Sequence, residues 1–189
     1  MSPVEVERKR ELTGSAGGVR ARLVELGYRE AGAVTEVDTY YSRPDVDFLE
    51  TVECLRVRRR DGFAEITYKP ASTSVTHGRD DVIAKRETNV LLRDMDQAHD
   101  ANLLLESIGM VLLARVEKFR TTYHRPEHPG LTVALDTVTG AGSFLETEIV
   151  DDDTQRATAL LKEVEGRLGV EAYPVVSLPY RDLVLRRGT

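Results

Sequence analysis

The sequence predicts an α+β fold: about eight mostly antiparallel strands, three helices, and a sheet curled into a closed or nearly closed barrel. Three observations carry this. Extended segments with alternating polarity are separated by turns rich in Gly, Pro and Asp. Three segments with helical apolar spacing each end at a glycine. Charges recur at alternate positions on several predicted strands, as Glu5/Glu7/Lys9, Arg56/Arg58, Lys118/Arg120 and Glu146/Glu148. Because side chains alternate faces along a strand, each set shares one face. One such strand is a solvated surface, but several together resemble the wall of a charged cavity. A barrel of about eight strands has an interior that side chains or one small ligand can fill. Burying an unpaired ion costs several kcal/mol, so a charged interior must be wet, internally paired or occupied by ions.

The elements follow in order. Residues 4–12 form the first strand, with Glu5, Glu7 and Lys9 on one face and Val4 and Val6 on the other. Gly14, Gly17 and Gly18 interrupt it, and a helix runs from about Val19 to Leu26, stopped by Gly27. The second strand, about 35–41, carries Glu36, Asp38 and Tyr40 on one face. After a loop over 42–52, strand three (54–60) and strand four (63–69) are joined at Asp61-Gly62, a hairpin signal. Residues 70–82 are polar and aperiodic, either a lid or a tolerated surface insertion. A fifth strand at about 83–92 groups Lys85, Glu87 and Asn89. The second helix, capped near Asp94 or Asp96, reaches about Ile108. Strands six (Val111 to about His124), seven (131–138, with Asp136) and eight (143–150) follow, then a third helix over Thr154 to Leu168. The tail predicts a short extended or helical closure. Strand, helix and charged strands recur in both halves, a hint of pseudo-symmetry.

At 189 residues the chain predicts a single domain spanning 1–189, long enough to bury a substantial core. It has 31% charged and 41% hydrophobic residues, so it reads as globular and soluble, with no apolar run of membrane-spanning length. The start shows no signal-peptide pattern, and Cys54 is the only cysteine, which together predict a cytoplasmic protein without disulfides. A net charge of −6 argues against general nucleic-acid binding, though not against a small anion held by locally grouped bases. The oligomeric state is not written in the pattern, and a homodimer is compatible with it. The histidines show no ligand spacing, and Gly14, Gly17 and Gly18 precede no phosphate-loop motif.

The chemistry lies in the alternating charges. Paired carboxylates without His or Cys suit a hard cation such as Mg²⁺ or Mn²⁺. Rows of Arg and Lys offer charge-assisted bonds to phosphate oxygens. The acids are Glu5, Glu7, Glu87, Asp136, Glu146 and Glu148; the bases are Lys9, Arg56, Arg58, Lys69, Lys85, Lys118 and Arg120. A cavity holding both kinds can grip a polyphosphate chain and a metal that bridges it. An inter-strand salt-bridge ladder is the plainer reading of any single pair, and it weakens as the pairs multiply.

The E-x-E-x-K at Glu5, Glu7 and Lys9 resembles the hallmark of the CYTH, or triphosphate tunnel metalloenzyme, superfamily, which includes class IV adenylyl cyclases, thiamine triphosphatases and inorganic tripolyphosphatases. The resemblance continues through D-T-Y-Y at 38–41, L-R-V-R at 55–58, T-Y-K-P at 67–70, K-R-E-T at 85–88 and K-F-R at 118–120. It ends with L-D-T-V-T-G-A-G-S-F-L-E-T-E at 135–148, then Tyr180 and Leu183. It implies an eight-stranded antiparallel barrel enclosing a hydrophilic tunnel and flanked by helices. It further implies Glu5, Glu7, Glu146 and Glu148 as metal ligands, with Glu87 and Asp136 as further acids of that set. Lys9, Arg56, Arg58, Lys69, Lys118 and Arg120 would bind the triphosphate, with Lys85 in the same row. Asn89 stands where many relatives carry a second acid.

The resemblance implies a divalent-metal-dependent enzyme acting on the triphosphate chain of a small molecule. Two reactions fit: hydrolysis of thiamine triphosphate, a nucleoside triphosphate or tripolyphosphate, and cyclisation of ATP to cyclic AMP and pyrophosphate. E-V-E-R-K followed by D-T-Y-Y is most similar to thiamine triphosphatases, in which a Lys–Tyr pair, here Lys9 and Tyr40, helps activate water. The His-Phe preceding E-x-E-x-K in typical class IV cyclases is absent, which favours hydrolysis. A non-catalytic binder of phosphorylated metabolites is the third reading, but aligned carboxylates repel an anion unless metal is present.

Overall fold

The computed structural model describes residues 4–14, 16–73 and 82–187. It has nine strands and four helices among them, in the order β1 (Val4–Glu11), α1 (Ala16–Glu25), β2 (Arg29–Ser42), β3 (Cys54–Arg60), β4 (Phe63–Lys69), β5 (Ile83–Lys85), β6 (Thr88–Leu92), α2 (Met95–Ser107), β7 (Val111–His124), β8 (Leu131–Val138), β9 (Gly142–Asp151), α3 (Thr154–Leu168) and α4 (Tyr180–Arg187). The strands form one antiparallel sheet, ordered β5-β1-β9-β8-β7-β2-β3-β4-β6. The α+β architecture agrees with the sequence, and the strand count differs at one place. The segment expected as one strand over 83–92 breaks at Arg86 and Glu87. Its first part pairs with β1 and its second with β4, at opposite edges of the sheet. The sheet is thus curled until its two edges are successive pieces of one segment, and no ladder links β5 to β6 among the described residues. β2 also begins earlier than the alternation suggests, because its exposed first half is recruited by β7 from Arg29 opposite His124 onward.

Local chemistry sets the element ends. Asp94 caps α2 by accepting from the Gln97 N–H at 3.0 Å, and Asp153 caps α3 by accepting from the N–H groups of Gln155 and Arg156. Gly169 ends α3 in the left-handed region at φ 71°, where a side chain is costly. Gly62 does the same in the β3–β4 hairpin at φ 68°. The tail is helical: α4 starts behind Pro179.

Three apolar clusters wrap the curled sheet. α1 and α3 cover β1, β8 and β9 through Val19, Leu23, Leu161 and Leu168 against Val6, Val133 and Leu145. α2 covers β3, β4 and the end of β2 through Ala98, Ala101 and Leu105 against Tyr41, Val57 and Ala64. The third cluster is on the concave side, where Tyr180 and Leu183 of α4 pack on Tyr40, Val116, Val138 and Phe144. That helix therefore occupies the inside of the curl instead of its outer surface. Of the 70–82 loop, residues 74–81 lie outside the described residues.

Candidate active site

β1 presents Glu5, Glu7 and Lys9 inward because its other face, at Val6, is sealed into the core. The same two-residue period turns Arg56 and Arg58 of β3, Lys69 of β4, Lys118 and Arg120 of β7, and Glu146 and Glu148 of β9 toward a common cavity of about 250 Å³. Lys85, Glu87 and Tyr40 also line it. Asp136 does not: it stands behind the wall and holds Arg120 (2.7 Å), the Tyr180 hydroxyl (2.8 Å) and Lys118 (3.7 Å). It differs in this from its expected place in the metal set, because its strand puts it beneath Arg120, which faces it in register.

The acids divide by which way their surroundings push their ionisation. Oxygens of Glu5, Glu7 and Glu148 lie within 4.8 Å of one another, an arrangement that could hold a metal ion. Burial, with Glu148 and Glu7 nearby and Lys69 opposing, pushes the Glu5 carboxyl up to about 9. Burial and Glu7 also push Glu148 up. Lys69 serves this group, 2.5 Å from Glu5 and 3.9 Å from Glu7, and an all-oxygen donor set fits a hard divalent cation. Glu146 and Glu87, by contrast, are held in the charged form. Glu146 meets Arg120 and lies 4.0 Å from Lys9, and these bases with Lys118 hold its carboxyl low despite burial. Glu87 takes Lys69 at 2.5 Å and Asn89 at 3.1 Å. Burial opposes its ionisation, but Lys69 brings the carboxyl down to about 2.

The bases differ in their partners. Arg58 forms two 2.7 Å bonds to Asp38, whose carboxyl is held far below the usual range against burial. Lys118 lies 3.2 Å from Glu36. Arg56 is different: its nearest carboxylate is Asp38 at 3.7 Å, and its Nε is buried without a hydrogen bond. Lys85 donates to the Val52 carbonyl at 2.7 Å, and burial with Lys69 lowers its pKa. Val52 itself adopts φ 53°, strained for a β-branched residue, on the cavity wall.

The aromatic partner expected for Lys9 is Tyr40, whereas Lys9 Nζ sits 4.3 Å from the ring centroid of Tyr180. The Tyr40 hydroxyl donates to Asp38 at 3.2 Å, and burial with that neighbouring charge pushes its pKa up strongly. Glu65 and Tyr180 are among the wall residues that stand outside the expected site set. Glu65 shares its strand face with Lys69 and is legible from alternation; Tyr180 comes from a helix with no charged pattern. Asp38 and Glu36 share a face with Tyr40, as expected, but their role as counterions to Arg58 and Lys118 emerges only from register. On the convex side, Arg8 and Arg10 bond Glu165 of α3 in a buried cluster unconnected with the cavity lining.

Comparison with known proteins agrees with this architecture. MJ0240 of Methanocaldococcus jannaschii, provisionally named an adenylate cyclase, is 27% identical over 162 residues, covering 85% of each chain. The solved structure of PH1819 from Pyrococcus horikoshii superposes with a TM-score of 0.79 at 27% identity, covering 96% of this chain and 98% of that one. HpAC1 from Hippeastrum, described as an adenylyl cyclase homologue with a dominant triphosphatase activity, superposes with a TM-score of 0.67 at 14% identity, covering 97% and 95%. The family profile described as CYTH domain matches residues 4–173. The chain belongs to the CYTH domain family.

Proposed function

We propose that this protein is a divalent-metal-dependent triphosphatase that hydrolyses a small organic or inorganic triphosphate. One observation carries the reading: a metal-sized group of three carboxylates, Glu5, Glu7 and Glu148, shares a cavity with cations whose charge is not fully compensated, Arg56 and Lys9. A polyanion needs the cations, and the carboxylates need a metal before a polyanion can approach them. Mg²⁺ or Mn²⁺ held there would neutralise phosphate charge and polarise the phosphorus–oxygen bonds. Arg56 and Lys9 would grip the phosphate oxygens first. Arg58, Lys69, Lys118 and Arg120 would exchange part of their carboxylate contacts for substrate contacts, and Lys85 would contribute through its hold on Val52. Tyr40 keeps its proton at neutral pH, so it suits orienting a reactant and not removing a proton. Lys9, braced on Tyr180, would stabilise charge developing on the transferred group.

Adenylyl cyclisation is the second reading, favoured by the naming of MJ0240; the dominant triphosphatase activity described for HpAC1 favours hydrolysis. The test is turnover of ATP, thiamine triphosphate and tripolyphosphate with Mg²⁺ and with Mn²⁺, with and without EDTA. Orthophosphate is resolved from pyrophosphate and cyclic AMP. Metal-dependent orthophosphate release supports hydrolysis, and cyclic AMP with stoichiometric pyrophosphate would replace it by cyclisation. Binding without turnover would leave a phosphate-binding module.

A further inference from the structure

A second cavity, of about 210 Å³, lies on the convex side of the sheet under the first turns of α2. Its floor includes Val37 and Thr39 of β2, the outward neighbours of Glu36 and Asp38, which face the other way into the charged interior. Register places Arg59 of β3 beside Val37 on one side and Arg115 of β7 beside Thr39 on the other. Above them α2 turns Met95, Ala98, His99 and Asn102 to the cavity, spaced as one helical face. Asp96 and Asp100 fall on other faces of that helix and are not in the lining. Glu117, opposite Val37 on β7, also lies outside it.

Arg59, Arg115 and His99 take part in no ion pair or hydrogen bond among the described residues. Arg8, Arg10, Arg58, Arg120 and Arg156, by contrast, all have carboxylate partners. Asn102 is not a free donor, since its amide is engaged by Tyr41 and by the Ala98 carbonyl. The cavity therefore offers two forked guanidinium donors from opposite sides, an imidazole and the Thr39 hydroxyl, with no carboxylate among its lining residues. A concave site of one sign focuses potential and draws a counterion of the opposite sign, and guanidinium groups match the oxygen geometry of phosphate.

We propose that this outer cavity is a second oxyanion site, separate from the triphosphate cavity, that takes a single phosphate group between Arg59 and Arg115. It does not depend on the reaction assigned to the inner cavity. The test follows the His99 imidazole resonance by NMR, assigned with His99→Gln, while inorganic phosphate is added against chloride at constant ionic strength. The expected result is a saturable shift with a Kd of about 1 mM or tighter. It should weaken at least about tenfold in Arg59→Gln/Arg115→Gln and persist in Arg56→Gln, which alters only the inner cavity. Both arginines are exposed, so the double variant should fold and keep its turnover. No shift, an equal response to chloride, or a response retained in the double variant but lost in Arg56→Gln would overturn the proposal.

Discussion

Arg58 grips Asp38 through two bonds of 2.7 Å, while Arg56, two residues earlier on the same strand face, approaches that carboxylate only to 3.7 Å. One arginine holds the wall together, and the other is the one proposed to meet the triphosphate. Arg58→Ala leaves Asp38 buried without its main counterion and should cost about 3–5 kcal/mol of stability. Arg56→Ala leaves that pair intact, so its unfolding midpoint should change little while KM for the triphosphate rises about tenfold. Urea unfolding and steady-state kinetics on both variants check this split. Equal effects of the two substitutions on stability would contradict it.

The group formed by Glu5, Glu7 and Glu148 should govern metal affinity. Glu148→Gln should weaken Mn²⁺ binding by roughly tenfold or more, measured by calorimetry, because ligand charge sets affinity at such sites. Glu165→Gln is the control, since Glu165 bonds Arg8 and Arg10 away from the cavity. It should lower stability and leave metal affinity unchanged.

Glu5 gives a pH dependence with a definite sign. Its folded pKa of about 9 lies above the ordinary value of 4.5, so the folded protein holds a proton that the unfolded chain has released. Stability of the metal-free protein should therefore fall as pH rises from about 5 to about 9. Glu5→Gln removes the titration, and its urea midpoint should decline less over that range. In the wild type, Mn²⁺ binding should release protons, visible as a binding enthalpy that depends on the buffer.

Tyr180 braces Lys9 with its ring and Asp136 with its hydroxyl. Tyr180→Phe should keep the cation over an aromatic face and retain most of kcat. Tyr180→Leu should lose more, by up to about 2 kcal/mol in transition-state stabilisation for a desolvated contact. Rates that fall equally in both variants would assign the effect to the hydroxyl and not to the ring.

Much of this site is legible along the chain. Alternation and family resemblance single out Glu5, Glu7, Lys9, Arg56, Arg58, Lys69, Lys118, Arg120, Glu146 and Glu148, and all of them line one cavity. Helix ends at Asp94, Asp153 and Gly169 follow rules that act over a few residues. Less visible is the division of labour within the charged set. Glu146 and Glu148 look identical in sequence, yet one is neutralised by Arg120 and the other sits with Glu5 and Glu7.

Which side chains share a strand face is fixed locally, because the two-residue period is a property of the backbone of each strand. Which of them meet is fixed by folding. Arg10 finds Glu165 across 155 residues, the 83–92 segment divides between β1 and β4, and Tyr180 arrives beneath Lys9 from the last helix. Those outcomes depend on register and packing between segments far apart in the chain, and no local pattern encodes the distance between two charges that only folding brings together.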